Sequence, residues 1–173
     1  MGINKETKIA RSVLALSGTI TIDPGRNTGI AIWYGNKYPE IFEISTPKKY
    51  TSTSMLPYLQ EAFIDIIRGH KIEKAIIEGV DYRENSLLSK MSSSQGYLSV
   101  LSYVVGIYHS ILSANLVKDI KILIAQEWKG NLTKEATAER VRLINGLTYS
   151  SSHVTDAVAI GLSQTELWYL GVK

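Results

Sequence analysis

The chain is expected to fold as an α/β protein. Its centre would be a mixed five-stranded sheet, an antiparallel three-stranded meander plus two parallel strands, flanked by helices. Three observations lead there. Between Ser17 and Ile44 lie three runs rich in β formers, joined only by short turns, and short links make antiparallel neighbours. Two later apolar runs, Ala75-Ile76-Ile77 and Ile120–Ile124, each follow a stretch with helical character, the alternation that gives parallel strands with helices on the sheet faces. Finally, 173 residues, 45% hydrophobic and 20% charged, suffice for one domain with a substantial core.

Residues 1–14 carry Lys5, Lys8 and Arg11 and read as a basic arm ahead of a single domain, 15–173. Ser17–Ile22 is the first strand, Ile30–Tyr34 the second and Ile41–Ile44 the third, with Gly35-Asn36-Lys37 as a turn. Met55, Leu59, Phe63, Ile66 and Ile67 recur at helical spacing, and Gly69 stops that helix. Ala75–Ile77 is a short buried strand ending at Glu78. From Met91 to Val117 there is no Lys, Arg, Asp or Glu. A membrane span needs about 20 mostly apolar residues, but this run is interrupted by serines, Gln95 and Asn115. It reads as a helix buried on more than one side, against its own sheet and a second subunit. Ile120–Ile124 is the last strand. A helix over Thr133–Leu143 has Thr133 as its cap, and Ser151 or Ser152 caps a final helix running to about Leu170. The order β-β-β-α-β-α-β-α-α is that of the RNase H-like fold.

Composition narrows the chemistry. The absence of cysteine excludes a disulfide scaffold, a thiolate zinc site and a cysteine nucleophile, and an intracellular, cytoplasmic location is expected. The first residues are polar and charged, with no signal peptide in view. A net charge of +3 suits a nucleic-acid partner without requiring one.

Asp23 and Glu78 each close an apolar strand. If those strands are parallel neighbours, both carboxylates emerge at one sheet edge, where ligands collect in open α/β sheets. His153 and Asp156 are three apart and share a helix face. The small apolar residues from Ala157 to Leu162 let that helix lie close to the sheet and bring both to the same edge. Taken singly, Asp23 fits a turn, Glu78 an exposed strand end and Asp156 a first-turn acid favoured by the helix dipole. Together, crowded carboxylates are costly to ionise, and a divalent cation relieves that cost. Oxygen-rich ligands select Mg²⁺ or Mn²⁺, and two ions about 4 Å apart clamp the attacking and leaving oxygens of a phosphodiester. Asp23 is then a metal ligand bridging both ions. Pro24-Gly25 turns the chain away to leave room for substrate, and Gly29 permits close backbone approach. His153 would ligate metal, position water or carry a proton.

Asp23-Pro24-Gly25 with Gly29, then Glu78 ending a strand, then His153-Val154-Thr155-Asp156-Ala157-Val158-Ala159-Ile160 resembles the RuvC family of Holliday junction resolvases, especially its compact phage-encoded members. The resemblance spans roughly residues 17–165. It implies Asp23, Glu78, His153 and Asp156 as the catalytic, metal-binding set, with Mg²⁺ (Mn²⁺ substituting) and two ions per site. It also implies a four-way DNA junction as substrate in recombination and repair, and a homodimer through the 91–117 helix. The position three after Glu78, aromatic in many members, is Asp81 here. Either the neighbouring Tyr82 takes over the junction-probing role or the junction is opened differently. Trp128-Lys129-Gly130 and Lys134 resemble phage relatives more than bacterial ones.

Arg26, Arg83, Lys90, Lys129 and Lys134, with Tyr82, are the expected DNA contacts. Lys48, Lys49, Arg140 and Arg142 are further cations that could hold phosphates. His70 and His109 read as structural, and Trp128 as core. Two other readings keep the elements but change the function: an RNase H-like nuclease acting on other branched DNA, RNA–DNA hybrid or precursor rRNA, and a DNA-binding module without catalysis. An actin-like ATPase domain also places Asp-x-Gly after a strand, but it needs further phosphate loops that the sequence lacks.

Overall fold

A computed structural model of the chain describes residues 16, 18–35, 38–81 and 92–170. The expected basic arm, together with Tyr82, Arg83, Lys90 and Met91, lies outside the described residues. In chain order the elements are β1 (Thr19–Asp23), β2 (Asn27–Trp33), β3 (Glu40–Ser45), α1 (Ser52–Ile67), β4 (Lys74–Glu78), α2 (Ser92–Ala114), β5 (Asp119–Leu123), α3 (Ala125–Trp128), α4 (Lys134–Asn145), α5 (Ser152–Ser163) and α6 (Glu166–Leu170). The strands form one sheet in the order β3-β2-β1-β4-β5. β1 pairs antiparallel with β2, β2 antiparallel with β3, and β4 is parallel to both β1 and β5. The expected meander plus two parallel strands is therefore the observed sheet.

Side chains alternate across a strand, and here the alternation divides the core in two. Ile20, Ile22, Ile30, Ile32, Ala75 and Ile77 face α1 and α2, meeting Leu59, Phe63, Val104 and Tyr108. Ala31, Trp33 and Ile76 face the other way, onto α4, α5 and α6, meeting Val141, Ala157, Val158 and Trp168. Thr21, on this second face, is buried and donates to Ala157 O (2.7 Å) while accepting from the Trp33 indole (3.3 Å).

The helices differ from expectation in three places. α1 starts a turn before Met55, because the Thr51 and Ser54 side chains cap each other's backbone N–H. A single turn, α3, follows β5 directly, too short to show a helical period. The last helix does not run unbroken to Leu170: it stops at Ser163 and resumes at Glu166. There the Ser163 hydroxyl bonds Ile160 O and the Thr165 hydroxyl bonds Leu162 O, and such local bonds compete with the helix ladder. α4 is capped by Thr133 as expected, and it ends at Gly146 in the left-handed region.

α2 buries Leu98, Val104, Val105, Tyr108, Ile111 and Leu112 along one stripe, against the sheet and α1. Its opposite face is open within the monomer, with Tyr103 64% exposed. No helix among the described residues is long and apolar enough to cross a membrane.

Candidate metal-binding acidic edge

The acidic edge follows from register. Ile22 pairs with Ile77 in the parallel β1–β4 ladder, so Asp23 and Glu78, the last residue of each strand, leave the sheet side by side. α5 crosses β1 and β2 on the second face. Its N-terminus is set down on β2, where a Cβ at Gly29 would lie 2.0 Å from His153 O and 2.7 Å from Val154 N. Only glycine fits that approach. Further along, a Cβ at Gly161 would lie 2.8 Å from the Trp33 ring. The first turn of α5 thereby delivers His153 and Asp156 to the edge: His153 Nδ1 is 2.8 Å from Asp23 Oδ2, and Asp156 is only 8% exposed.

The electrostatics are those of crowded anions. Burial, then the charges of Asp23 and Asp156, push the Glu78 carboxyl up to about 8, against the opposing pull of Lys129 and the Trp128 indole. Burial, then Asp23, raises Asp156, opposed by Lys129, Lys134 and His153. The hydrogen bond to Asp23 raises His153 against its own partial burial, with the Asp23 and Glu43 charges adding to the rise. Two of the three carboxylates are thus held unfavourably as anions by their surroundings.

That donor set, three carboxylate groups and one imidazole, suits a hard divalent cation, which would offset the penalty on Glu78 and Asp156. Among the described residues no three of these side chains form a finished metal cage. Asp23 Oδ2 is instead taken up by His153.

The expected basic residues fall into distinct groups. Lys129 and Lys134 stand near enough for their charge to act on the acids. Arg26 turns one guanidinium nitrogen back onto Pro47 O (3.3 Å), Lys48 O (3.4 Å) and Tyr50 O, so it clamps the loop bearing Lys48 and Lys49. Arg142 is paired with Glu139, and Arg140 bonds Trp168 O. Pro24 and Gly25 are buried, and Gly25 is held at both its N–H and its carbonyl by the Thr28 hydroxyl. His70 bonds the Tyr34 hydroxyl and stacks on that ring.

Two participants escaped the sequence reading. Glu43, paired with Gly29 across β2 and β3, accepts from the Ser151 hydroxyl (2.9 Å) at the start of α5 and adds to the field on His153. Tyr108 of α2, fully buried, shares a 2.9 Å hydrogen bond with Thr28, tying that helix to the Asp23 turn. The only forward signal for Glu43 was its alternation away from the buried Ile44.

The sheet and its helices form an RNase H-like fold, with acidic side chains at the carboxyl ends of its central strands. No family model and no curated protein matches the chain. Solved structures do. The Thermus thermophilus RuvC bound to a Holliday junction substrate superposes with a TM-score of 0.66 at 18% identity, covering 88% of this chain and 93% of that one. A second T. thermophilus RuvC structure gives 0.62 at 17%, covering 88% and 94%. The yeast mitochondrial Holliday junction resolvase Ydc2 gives 0.52 at 11%, covering 94% and 86%. The chain therefore has the fold of these proteins over most of its length.

Proposed function

We propose that the chain is a metal-dependent endonuclease of the RuvC type, which resolves four-way DNA junctions by paired phosphodiester hydrolysis as a homodimer. One observation carries the reading: β1, β4 and α5, distant in sequence, bring Asp23, Glu78 and Asp156 to one edge, where burial and repulsion oppose the charge of Glu78 and Asp156. Acidic clusters of this kind are expected where charge must be ready for a ligand. It is supported by the shared fold with resolvases, one of them bound to a junction.

Asp23, Glu78, His153 and Asp156 would hold Mg²⁺, or Mn²⁺ in its place, with two ions per site. When held by these residues, such a cation would supply positive charge at the scissile phosphate and its attacking water. In the hydrolysis, water oxygen joins phosphorus as the 3′ oxygen departs with a proton. Asp23 orients His153 through Nδ1, which leaves Nε2 as the nitrogen for ligation or proton transfer. Lys129 and Lys134, beside the acids, meet the DNA backbone, and such contacts position a substrate without reading bases. Arg26, Tyr82, Arg83 and Lys90 are assigned to the same surface from the sequence.

The open, charge-free face of α2 is the dimer face in this reading. A two-fold dimer presents two identical sites to two like strands of a junction, so the nicks are symmetric. The likeness to compact phage-encoded members rests on Trp128-Lys129-Gly130 and Lys134, and the cytoplasm, the host's if the chain is phage-encoded, is where it would act.

The test is cleavage of a synthetic four-way junction in Mg²⁺, beside linear duplex and RNA–DNA hybrid of the same sequence, by wild type and Asp23→Asn. Symmetric nicks in the junction by wild type alone are expected. Preference for hybrid, or equal cutting of linear duplex, would move the assignment to another RNase H-like nuclease. Undiminished cutting by the variant would reject the acidic edge as the site.

A further inference from the structure

Trp128 carries a buried polar atom without a well-formed hydrogen bond among the described residues. It ends α3, the single turn that leaves the sheet after β5. β5 runs beside β4 with Leu123 opposite Glu78, and the Gly79 N–H donates to Leu123 O (2.8 Å). The chain therefore departs from the sheet next to Glu78, and Trp128 joins the buried cluster that holds Ile76, with Leu123 packed against it. The side chain is 2% exposed and packs on Trp168, ring centroids 6.4 Å apart. Its indole N–H is buried and makes no well-formed hydrogen bond among the described residues, although it lies near enough to the Glu78 carboxylate to favour the charged form. Buried orphan donors are uncommon and destabilising. The contrast is Trp33 on the same face, whose indole N–H reaches Thr21. Packing alone would be served by a phenyl ring, so the N–H asks for another explanation.

The neighbours supply one. Lys129, the next residue, holds its amino group 4.9 Å from the centre of the Trp128 ring. The field of Lys129 and the polar end of the indole both fall on the Glu78 carboxylate and favour its charged form. We propose that Trp128 is a positioning residue for Glu78: its indole N–H closes onto the Glu78 carboxylate when that group works as a charged ligand, fixing which oxygen faces the substrate. Lys129 over the ring holds the indole in that orientation. The catalytic significance of the contact rests on the endonuclease reading, but the contact itself does not.

Indole ¹H–¹⁵N resonances test the contact without turnover. Trp128→Phe assigns the Trp128 signal by its loss. That signal is expected to move in Glu78→Gln, and to move in wild type on adding Mg²⁺, while the Trp33 signal holds still. Loss of one hydrogen bond to a charged group predicts that Trp128→Phe lowers kcat on a four-way junction about tenfold or more, with KM little changed. An indole signal indifferent to both Glu78→Gln and Mg²⁺, or Trp128→Phe cutting at the wild-type kcat, would overturn the proposal. If the indole reports on Glu78 but wild type cuts no junction, the contact stands and the nuclease reading fails. If wild type cuts junctions and the indole is silent, the nuclease reading stands and Trp128 is core only.

Discussion

Replacing Glu78 by Gln should stabilise the metal-free protein at alkaline pH. The Glu78 carboxyl is raised from the ordinary 4.5 to about 8, chiefly by burial and then by Asp23. A carboxyl raised in the folded state has no effect at low pH, where folded and unfolded chains are both protonated. As pH climbs from the unfolded value toward the folded one, the unfolded chain ionises first, and stability falls until both forms are charged. Over a rise of this size the loss reaches on the order of 5 kcal/mol as a ceiling. For a chain of this length that corresponds to roughly 10–20 °C in Tm. Glu78→Gln removes the titration and should match wild type near pH 4.5, then exceed it increasingly toward pH 8.5. A divalent cation should narrow the gap. Bound only to the folded state at about 100 times its Kd, it adds roughly 2.7 kcal/mol to wild type and little to the variant. The assay is thermal unfolding of both proteins across that pH range, in EDTA and then in Mg²⁺. A wild type as stable as Glu78→Gln at pH 8.5 in EDTA, or one gaining nothing from Mg²⁺ there, would refute the reasoning that these acids are held in wait for a cation.

Three further outcomes can be measured separately. Gly29→Ala places a methyl against the His153 carbonyl, so α5 must lift from β2. A loss of about 1–3 kcal/mol in denaturant unfolding is expected, together with loss of divalent-ion binding by calorimetry. Asp23→Asn removes the hydrogen bond and charge that raise His153, so by NMR in EDTA the imidazole should titrate at lower pH than in wild type. Tyr103→Glu puts a charge on the face of α2 assigned to the proposed dimer; sedimentation is expected to show wild type as a dimer and the variant as a monomer at the same concentration, with Tm nearly unchanged because Tyr103 is exposed.

The sheet was legible because strand periodicity is local. Ile20 and Ile22 alternate with Thr19 and Thr21 in the sequence itself, and the structure sends them to opposite faces. Parallel pairing of β1 and β4 was legible at one remove, since a helix between two short apolar runs leaves few other arrangements. What the pattern hides is competition within an element. Leu162, Leu167 and Trp168 carry an apolar rhythm straight through Ser163 and Thr165, although hydroxyl-to-carbonyl bonds there break the helix.

Asp23 and Glu78 were legible for the same local reason: each ends a strand, so register aligns them. The supports of the site were not. Glu43 reaches Ser151 across 108 residues of sequence, and Thr28 meets Tyr108 across 80; no period or cap announces such bonds. Gly29 shows how far the sequence goes and where it stops. A glycine between a turn and a strand signals that some backbone comes close, without saying which. The structure gives that space to the His153 carbonyl at the start of α5. The clearance at Gly29 therefore serves assembly of the site: it lets His153 reach Asp23 and places Asp156 within the field of Glu78. A side chain at that position would separate the acids before any substrate arrived.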